Sequence, residues 1–192
     1  MTIVSIHQPN FMPWFGYFKK IQSSNKFIFL DDVKCSKNSY LNRNLFSTSK
    51  LLDKTFWLSC PISKENYKKK IQDVTIQPSF IKKHKKHFLL RHKKTKEQNL
   101  LQQVLNIYES YEKENFSISD FNIDMIKMIC KNLEIYDNTE FYRSSKLKIA
   151  NRESLLKENL VIQIVKAAGG SVYLSGNGAA KYQSGSSFLN EN

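Results

Sequence analysis

Ile3-Val4-Ser5-Ile6-His7-Gln8-Pro9-Asn10-Phe11-Met12-Pro13-Trp14-Phe15-Gly16-Tyr17-Phe18 opens the chain, and Phe27-Ile28-Phe29-Leu30-Asp31-Asp32-Val33 follows closely. Ile3 to Ile6 reads as a short buried strand ending at His7. A loop follows, held by Pro9 and Pro13. Phe15 to Gln22 has helical spacing, with Phe15, Phe18 and Ile21 on one side. Ser23-Ser24-Asn25 stops it. Phe27 to Leu30 is a continuous apolar run, the mark of a strand covered on both faces. A strand, a short helix and a second strand in so few residues make a βαβ unit with a parallel pair.

Working outward, Trp57 to Cys60 reads as a strand ending at Pro61, and Asp73 to Ile76 as another. Helical periods then take over. Phe80 to Lys93 is basic with Ile81, Phe88 and Leu89 facing in, and Glu97 to Glu112 carries Leu100, Leu101, Val104, Leu105 and Tyr108. Ser117 and Asp120 have the spacing of a capping box. Phe121, Met125, Met128, Ile129 and Leu133 give the helix after it an apolar stripe. Glu140 to Arg143 reads as a strand leading to Ser144-Ser145. Glu153 to Ala168 is helical and ends at Gly169-Gly170. Val172 to Leu174 is a last strand, running into the small residues Ser175 to Ala180. The tail Gln183 to Asn192 is polar. These elements predict an α/β fold with a mostly parallel open sheet, Rossmann-like or nucleotidyltransferase-like, over a single domain 1–192. A helical, lysine-rich insertion occupies about 79–135.

Composition agrees with a folded enzyme-sized domain. The 192 residues include 41% hydrophobic ones, four prolines and six glycines, which excludes disordered and collagenous classes. A chain of this size buries roughly 70% of its unfolded surface. No apolar run reaches the ~18 residues that span a bilayer. The start lacks the basic segment and cleavage site of a signal peptide. Cys35, Cys60 and Cys130 form no C-x-x-C and match neither a disulfide framework nor a zinc site. A cytoplasmic location is expected.

The chain carries 30 Lys+Arg against 17 Asp+Glu, a formal +13. Lys64 to Lys96 holds twelve Lys/Arg with only Glu65 and Asp73 acidic. Such a face is a solvated helix surface, or a wall that attracts phosphorylated sugars, anionic lipid or nucleic acid. Lysine dominates it and Arg91 is its one arginine, so base-specific reading of nucleic acid is disfavoured. His84 and His87, spaced i and i+3 amid lysines, suit a metal poorly and are expected to face solvent.

Three loops follow predicted strands, and in open α/β sheets ligands collect outside the carboxyl ends of strands. The first, His7 to Tyr17, offers Gln8 and Asn10 as polar groups, Trp14 and Tyr17 as flat walls, and His7 as acid, base or phosphate donor. The alternative is a loop folded inward. The second holds Asp31 and Asp32, then Asn42 and Arg43. The carboxylates suit Mg²⁺, sugar hydroxyls or an amine, and Arg43 suits phosphate. Adjacent strand residues point oppositely, so one aspartate serves a site and the other caps a turn, or both cap turns. The third, with Ser175, Gly176 and Gly178, leaves backbone N–H groups that cradle phosphate, or is an ordinary strand-to-helix turn. No P-loop, G-x-G-x-x-G, G-x-S-x-G or H-E-x-x-H is present.

Taken together, these residues resemble the WbqC-like family of bacterial proteins. The likeness rests on His7 through Phe18, Phe29-Leu30-Asp31-Asp32-Val33, Asn42-Arg43-Asn44, and Trp57-Leu58 with Pro61. It continues with Lys83-His84, Arg143-Ser144-Ser145, and Tyr173-Leu174-Ser175-Gly176 with Gly178-Ala179. Two departures stand out. Lys34 replaces the family's Gln after Asp-Asp-Val, and family members continue past the region of Phe188, so the resemblance implies a shortened member. The resemblance implies a transferase in surface-polysaccharide (O-antigen, lipopolysaccharide) biosynthesis, moving glycine or another aminoacyl or acyl group to a sugar. Its substrates are then a phosphorylated sugar or nucleotide-sugar and an activated acyl donor. His7, Asp31 and Asp32 are the expected catalytic groups. Gln8, Asn10, Trp14, Tyr17, Asn42, Arg43, Ser144, Ser175, Gly176 and Gly178 are the expected substrate contacts, and no metal site is assigned. A fainter analogy to adenylyl-transferring enzymes such as pantothenate synthetase implies ATP with Mg²⁺ instead, although Tyr17 stands where their second loop histidine would be. The remaining alternative is a non-enzymatic nucleic-acid or assembly module, and contact with anionic membrane through Lys64–Lys96 fits either enzyme.

Overall fold

The two apolar runs that open the chain lie side by side as a parallel pair. A computed structural model of the protein describes residues 1–47, 55–92, 94–155 and 157–176. In chain order its main elements are β1 (Ile3–His7), α1 (Phe15–Gln22), β2 (Lys26–Phe29), β3 (Arg43–Ser47), β4 (Thr55–Ser59), β5 (Thr75–Ile76) and α2 (Ile81–His92). There follow α3 (Gln98–Ser110), β6 (Phe116–Ser117), α4 (Ile118–Asn132), β7 (Glu140–Arg143), α5 (Lys157–Ala167) and β8 (Val172–Tyr173). They form two units: Met1–Gln8, Trp14–Leu30 and Ile135–Asn192 in the first, Pro9–Pro13 and Asp31–Glu134 in the second.

The first unit is an α/β layer structure. Its open sheet has the order β7-β2-β1-β8 with every neighbour parallel. Side chains alternate between the faces of a strand. Val4 and Ile6 of β1 and Ile28 of β2 pack with Ile164, Val165 and Ala168, so α5 covers that face. The other face carries Phe27 and Phe29. Tyr17 of α1 meets Phe27 at 5.3 Å between ring centroids, and Phe29 stacks on Phe141 at 5.8 Å. Helices on both faces are what runs of consecutive apolar residues require. Gly169 ends α5 at φ +67°, a left-handed conformation suited to glycine, with its N–H on the Lys166 carbonyl at 2.9 Å.

The second unit is built on helices. Phe11, Ile71, Ile81, Tyr108, Ile118, Phe121 and Met125 are its fully buried centre. The Ser117 hydroxyl accepts the Asp120 N–H at 3.2 Å, so the cap read from sequence starts α4. The antiparallel pairs β3–β4 and β5–β6 complete this unit. Four details differ from expectation. Phe15 is exposed, and Tyr17 is buried with Phe18 and Ile21 on α1. β3 and β6 lie where no strand was predicted. The inner face of α2 is Ile81, His84 and Phe88, spaced i, i+3 and i+7, which leaves Leu89 47% exposed. Leu133, at the C-cap of α4, is 45% exposed.

His84 therefore does not face solvent. It is buried, with Nδ1 at 3.0 Å from the Tyr108 hydroxyl and its ring edge-on to Phe80 at 4.8 Å. Burial holds its pKa near 4 instead of 6.5.

Candidate functional site

The sheet's own register opens a hollow. β8 pairs with β1 only at Ile3 and Val4, and the next rung is Leu174 N–H to the Val4 carbonyl at 2.9 Å. β1 runs on to His7. Carbonyls alternate in direction along a strand, so the Ile6 carbonyl points the way Val4's does, beyond the last rung of β8. Lys20 of α1 fills that vacancy, donating from Nζ to the Ile6 carbonyl at 2.9 Å. A buried backbone acceptor without a partner costs about 1–3 kcal/mol. The lysine is thus drawn inward.

Around this point lies a hollow of about 670 Å³ at the carboxyl ends of β1 and β8. His7, Trp14 and Tyr17 form one side, Gly16, Lys19, Lys20 and Ser23 run along α1, and Tyr173 to Gly176 close the other side. The volume suits a small ligand. The position is where open sheets bind theirs, between a strand whose chain leaves to one side and a neighbour reached from elsewhere in the sequence.

His7 has a defined tautomer. Its Nδ1 lies 3.1 Å from the Gln8 carbonyl, which only accepts, so Nδ1 carries the proton and Nε2 the lone pair. The Tyr17 hydroxyl donates to the same carbonyl at 2.9 Å, and the Tyr17 ring meets the imidazole edge-on at 4.8 Å. Burial, then the charge of Lys20, lowers the His7 pKa from 6.5 to about 4. Burial also brings Lys20 down to about 8, and its Nζ stands 5.8 Å from the Tyr173 ring centroid. At neutral pH the site holds a neutral imidazole base beside ammonium groups. It is cationic overall, with aromatic walls and no acid among its described lining residues. Its charge and aromatic walls are complementary to an anion bearing a flat or apolar group.

Of the residues expected from sequence, His7, Trp14, Tyr17, Ser175 and Gly176 meet at this hollow. Gln8 contributes its carbonyl to them. Ser144 is fully buried at the carboxyl end of β7, the edge strand opposite β8. Gly178 and the tail lie outside the described residues.

Asn10, Asp31, Asp32, Asn42 and Arg43 belong to the second unit. Asp31 is fully buried and its carbonyl accepts the Gln72 N–H at 2.7 Å. Asn10 is buried, and Asp32 partly so. Asn42 donates to the Cys60 carbonyl at 2.9 Å, and Asn44 to the Met12 carbonyl at 2.5 Å. Asn122 donates to the carbonyls of Pro9 and Leu41, both at 2.8 Å. Asn44 and Asn122 thus hold the proline loop by its backbone. Sequence reading missed Lys19, Lys20 and Ser23. The available signal was their placement three, four and seven residues after Gly16, one face of a helix.

Among the described residues no group of three His, Cys, Asp or Glu is placed to hold a metal ion. The three cysteines are buried free thiols. No helix of the described residues is long and apolar enough to cross a membrane.

A family model described as the WbqC-like protein family matches residues 8–192. A curated relative, the uncharacterized protein Rv1507c of Mycobacterium tuberculosis (strain ATCC 25618 / H37Rv), is 28% identical over 185 residues, covering 95% of this chain and 75% of that protein. No solved structure matches the chain.

Proposed function

The chain belongs to the WbqC-like protein family, and from that premise we propose that it is a transferase of bacterial surface-polysaccharide biosynthesis. In this reading it binds a phosphorylated sugar or nucleotide-sugar in the hollow and transfers an aminoacyl or acyl group, such as glycine, to the sugar. The observation that carries it is one cavity holding a neutral imidazole, two lysines and an aromatic wall at the strand ends. Lys19 and Lys20 hold the phosphate. Trp14 and Tyr173 pack on the flat or apolar part. His7 Nε2 takes a proton from the sugar amine or hydroxyl. That nitrogen or oxygen forms a bond to the carbonyl carbon of an activated acyl donor, and the donor's leaving group departs with the electron pair of the broken bond. The bound phosphate opposes the effect of Lys20 on His7 and raises the basicity of the imidazole as the substrate arrives.

Titration calorimetry with nucleotide-sugars, ATP with Mg²⁺ and activated acyl donors tests this reading. A nucleotide-sugar that binds the wild type and loses at least about tenfold affinity in Lys20→Met supports it. Turnover kept in His7→Gln and lost in Asp32→Asn would move the base to Asp32. The strand order favours one second reading. Numbered within the sheet, β7-β2-β1-β8 runs 3-2-1-4, an order that doubly wound nucleotide-binding sheets also contain, and this supports an adenylyl-transferring enzyme using ATP with Mg²⁺ as the second reading. ATP binding without nucleotide-sugar binding would select it.

A further inference from the structure

The second unit has a hollow of its own, of about 470 Å³, between the segment 61–69 and β5. That volume is in the range of small-molecule sites. Asn66 lines it and is only 7% exposed. Its Nδ2 donates to the Thr75 carbonyl at 2.7 Å, which fixes the amide's orientation, because a carbonyl only accepts. The Asn66 Oδ1 has no hydrogen-bond partner among the described residues.

Thr75 leaves a second group open. The Ile118 N–H reaches the Val74 carbonyl at 3.1 Å, which puts a rung between these two residues. Thr75, opposite Ser117, is the next position, so it turns its own N–H and carbonyl away from β6. Asn66 takes the carbonyl, and the N–H has no partner among the described residues. One acceptor and one donor thus stand open on the same side of β5. Polar groups in such places ordinarily find a partner, in protein, water or ligand.

Few groups satisfy both with a single atom. A phosphate or carboxylate oxygen accepts from Thr75 but offers nothing to Asn66. An ammonium donates to Asn66 but offers nothing to Thr75. A hydroxyl accepts from the one and donates to the other. The rest of the lining has the same character. Gln77, Ser79 and Asn115 are neutral hydrogen-bonding side chains without partners among the described residues. Pro61 and Ile62 supply aliphatic surface for the C–H groups of a ring. Glu65 and Lys69 are the one acid and the one cation of the lining, in a chain of formal charge +13. Balanced charge gives this hollow no preference for an anion.

We propose that this hollow binds a neutral carbohydrate, one hydroxyl of which bridges the Thr75 N–H and the Asn66 Oδ1. An extended peptide fits less well. It would add a strand to β5, and the Thr75 carbonyl that such a strand needs is held by Asn66. The site stands whether or not the hollow of the first unit is catalytic.

The test follows the backbone amides of the nitrogen-labelled full chain by NMR while glucose, galactose, N-acetylglucosamine or maltose is added to tens of millimolar. At least one sugar is expected to move the Thr75 amide signal saturably and to slow its hydrogen exchange about tenfold or more, since the N–H gains a partner. Asn66→Ala would also release the Thr75 carbonyl, so the diagnostic variant combines Gln77→Ala and Asn115→Ala, both at exposed positions. It is expected to keep the circular dichroism spectrum and to weaken the sugar at least about tenfold. Sugars that leave the Thr75 amide unmoved overturn the proposal, and so does an affinity that the double variant does not change. Inorganic phosphate moving that amide in place of the sugars would make this an anion site around Lys69, and tetra-alanine doing so a peptide site. Glycerol matching the sugars at equal concentration would make it a place for water and small polyols. Each of these three results also overturns it.

Discussion

Tyr17 donates its hydroxyl hydrogen to the Gln8 carbonyl at 2.9 Å, the same oxygen that receives His7 Nδ1–H at 3.1 Å. Two donors converging on one acceptor fix where the loop leaves β1 and which imidazole nitrogen is left as a base. Tyr17→Phe removes one donor and keeps the ring against Phe27. The loss expected in urea unfolding is about 1 kcal/mol, the net worth of a hydrogen bond. The His7 Nδ1–H tautomer, read by nitrogen NMR, is expected to persist, because the carbonyl still needs a donor. A switch to the Nε2–H tautomer would show that Tyr17 was what set it.

Acid weakens the fold through two histidines, the part-buried His7 and the buried His84. His7 and His84 each have a folded pKa near 4, below the ordinary 6.5. Between those values the unfolded chain binds protons that the folded chain refuses. Stability is therefore complete above pH 6.5, falls as pH drops from 6.5 toward 4, and levels with respect to these groups below that. Imidazole Cε1–H shifts followed by NMR are expected to show two histidines titrating near pH 4. Two ordinary midpoints near 6.5 would contradict the burial.

His84 and Tyr108 act as one internal unit. His84→Ala leaves a cavity and an unpartnered Tyr108 hydroxyl, at an expected cost of about 2–4 kcal/mol. Tyr108→Phe alone is expected to cost less, and a double-mutant cycle between the two to give a coupling of about 1 kcal/mol. A coupling of zero would mean that the 3.0 Å contact contributes nothing to stability.

Much of this was legible in sequence, for identifiable reasons. The run Phe27 to Leu30 and the Ser117 cap are local signals, and both elements formed as read. β3 was hidden because its pattern is inside out: Leu45 is half exposed while Asn44 is buried, its amide on the distant Met12 carbonyl. β6 is two residues long and forms only because β5 pairs with it. Lys20 was missed because its partner is a vacancy, the Ile6 carbonyl left open by the shortness of β8. Nothing in a local window announces that. Asp31 stands after a strand as read, but its complete burial and the Gln72 N–H on its carbonyl come from far along the chain and have no local signal.

Gly16 is where a side chain would displace a wall of the hollow. A Cβ there would sit 2.9 Å from Trp14 Nε1 and 3.2 Å from Cδ1, so the indole must swing away. The backbone has no need of glycine, since its φ is not positive. Gly16→Ala is accordingly expected to leave stability unchanged or raise it by up to ~1 kcal/mol through helix propensity. In a Trp57→Phe background it is also expected to shift Trp14 emission and weaken binding of the phosphate-bearing ligand. A more stable protein with unaltered emission and binding would show that Trp14 does not wall the site.

Lys20→Met separates the two tasks assigned to that lysine. Methionine keeps the apolar stem along α1 but cannot donate to the Ile6 carbonyl, at a cost of about 1–3 kcal/mol in unfolding experiments unless water takes the place. It also removes the charge that adds to burial in holding His7 low. Burial is the larger cause, so the His7 midpoint is expected to rise from about 4 and stay below 6.5. Phosphate-bearing ligands are expected to bind at least about tenfold more weakly, with a flatter dependence on salt because one cation fewer attracts them. Lys20→Arg restores charge but not the reach of an ammonium to one carbonyl, so it is expected to recover ligand affinity better than stability. A His7 midpoint that ignores both substitutions would show that the ammonium and the imidazole do not sense each other, and the electrostatic coupling between anion arrival and base strength would fail with it.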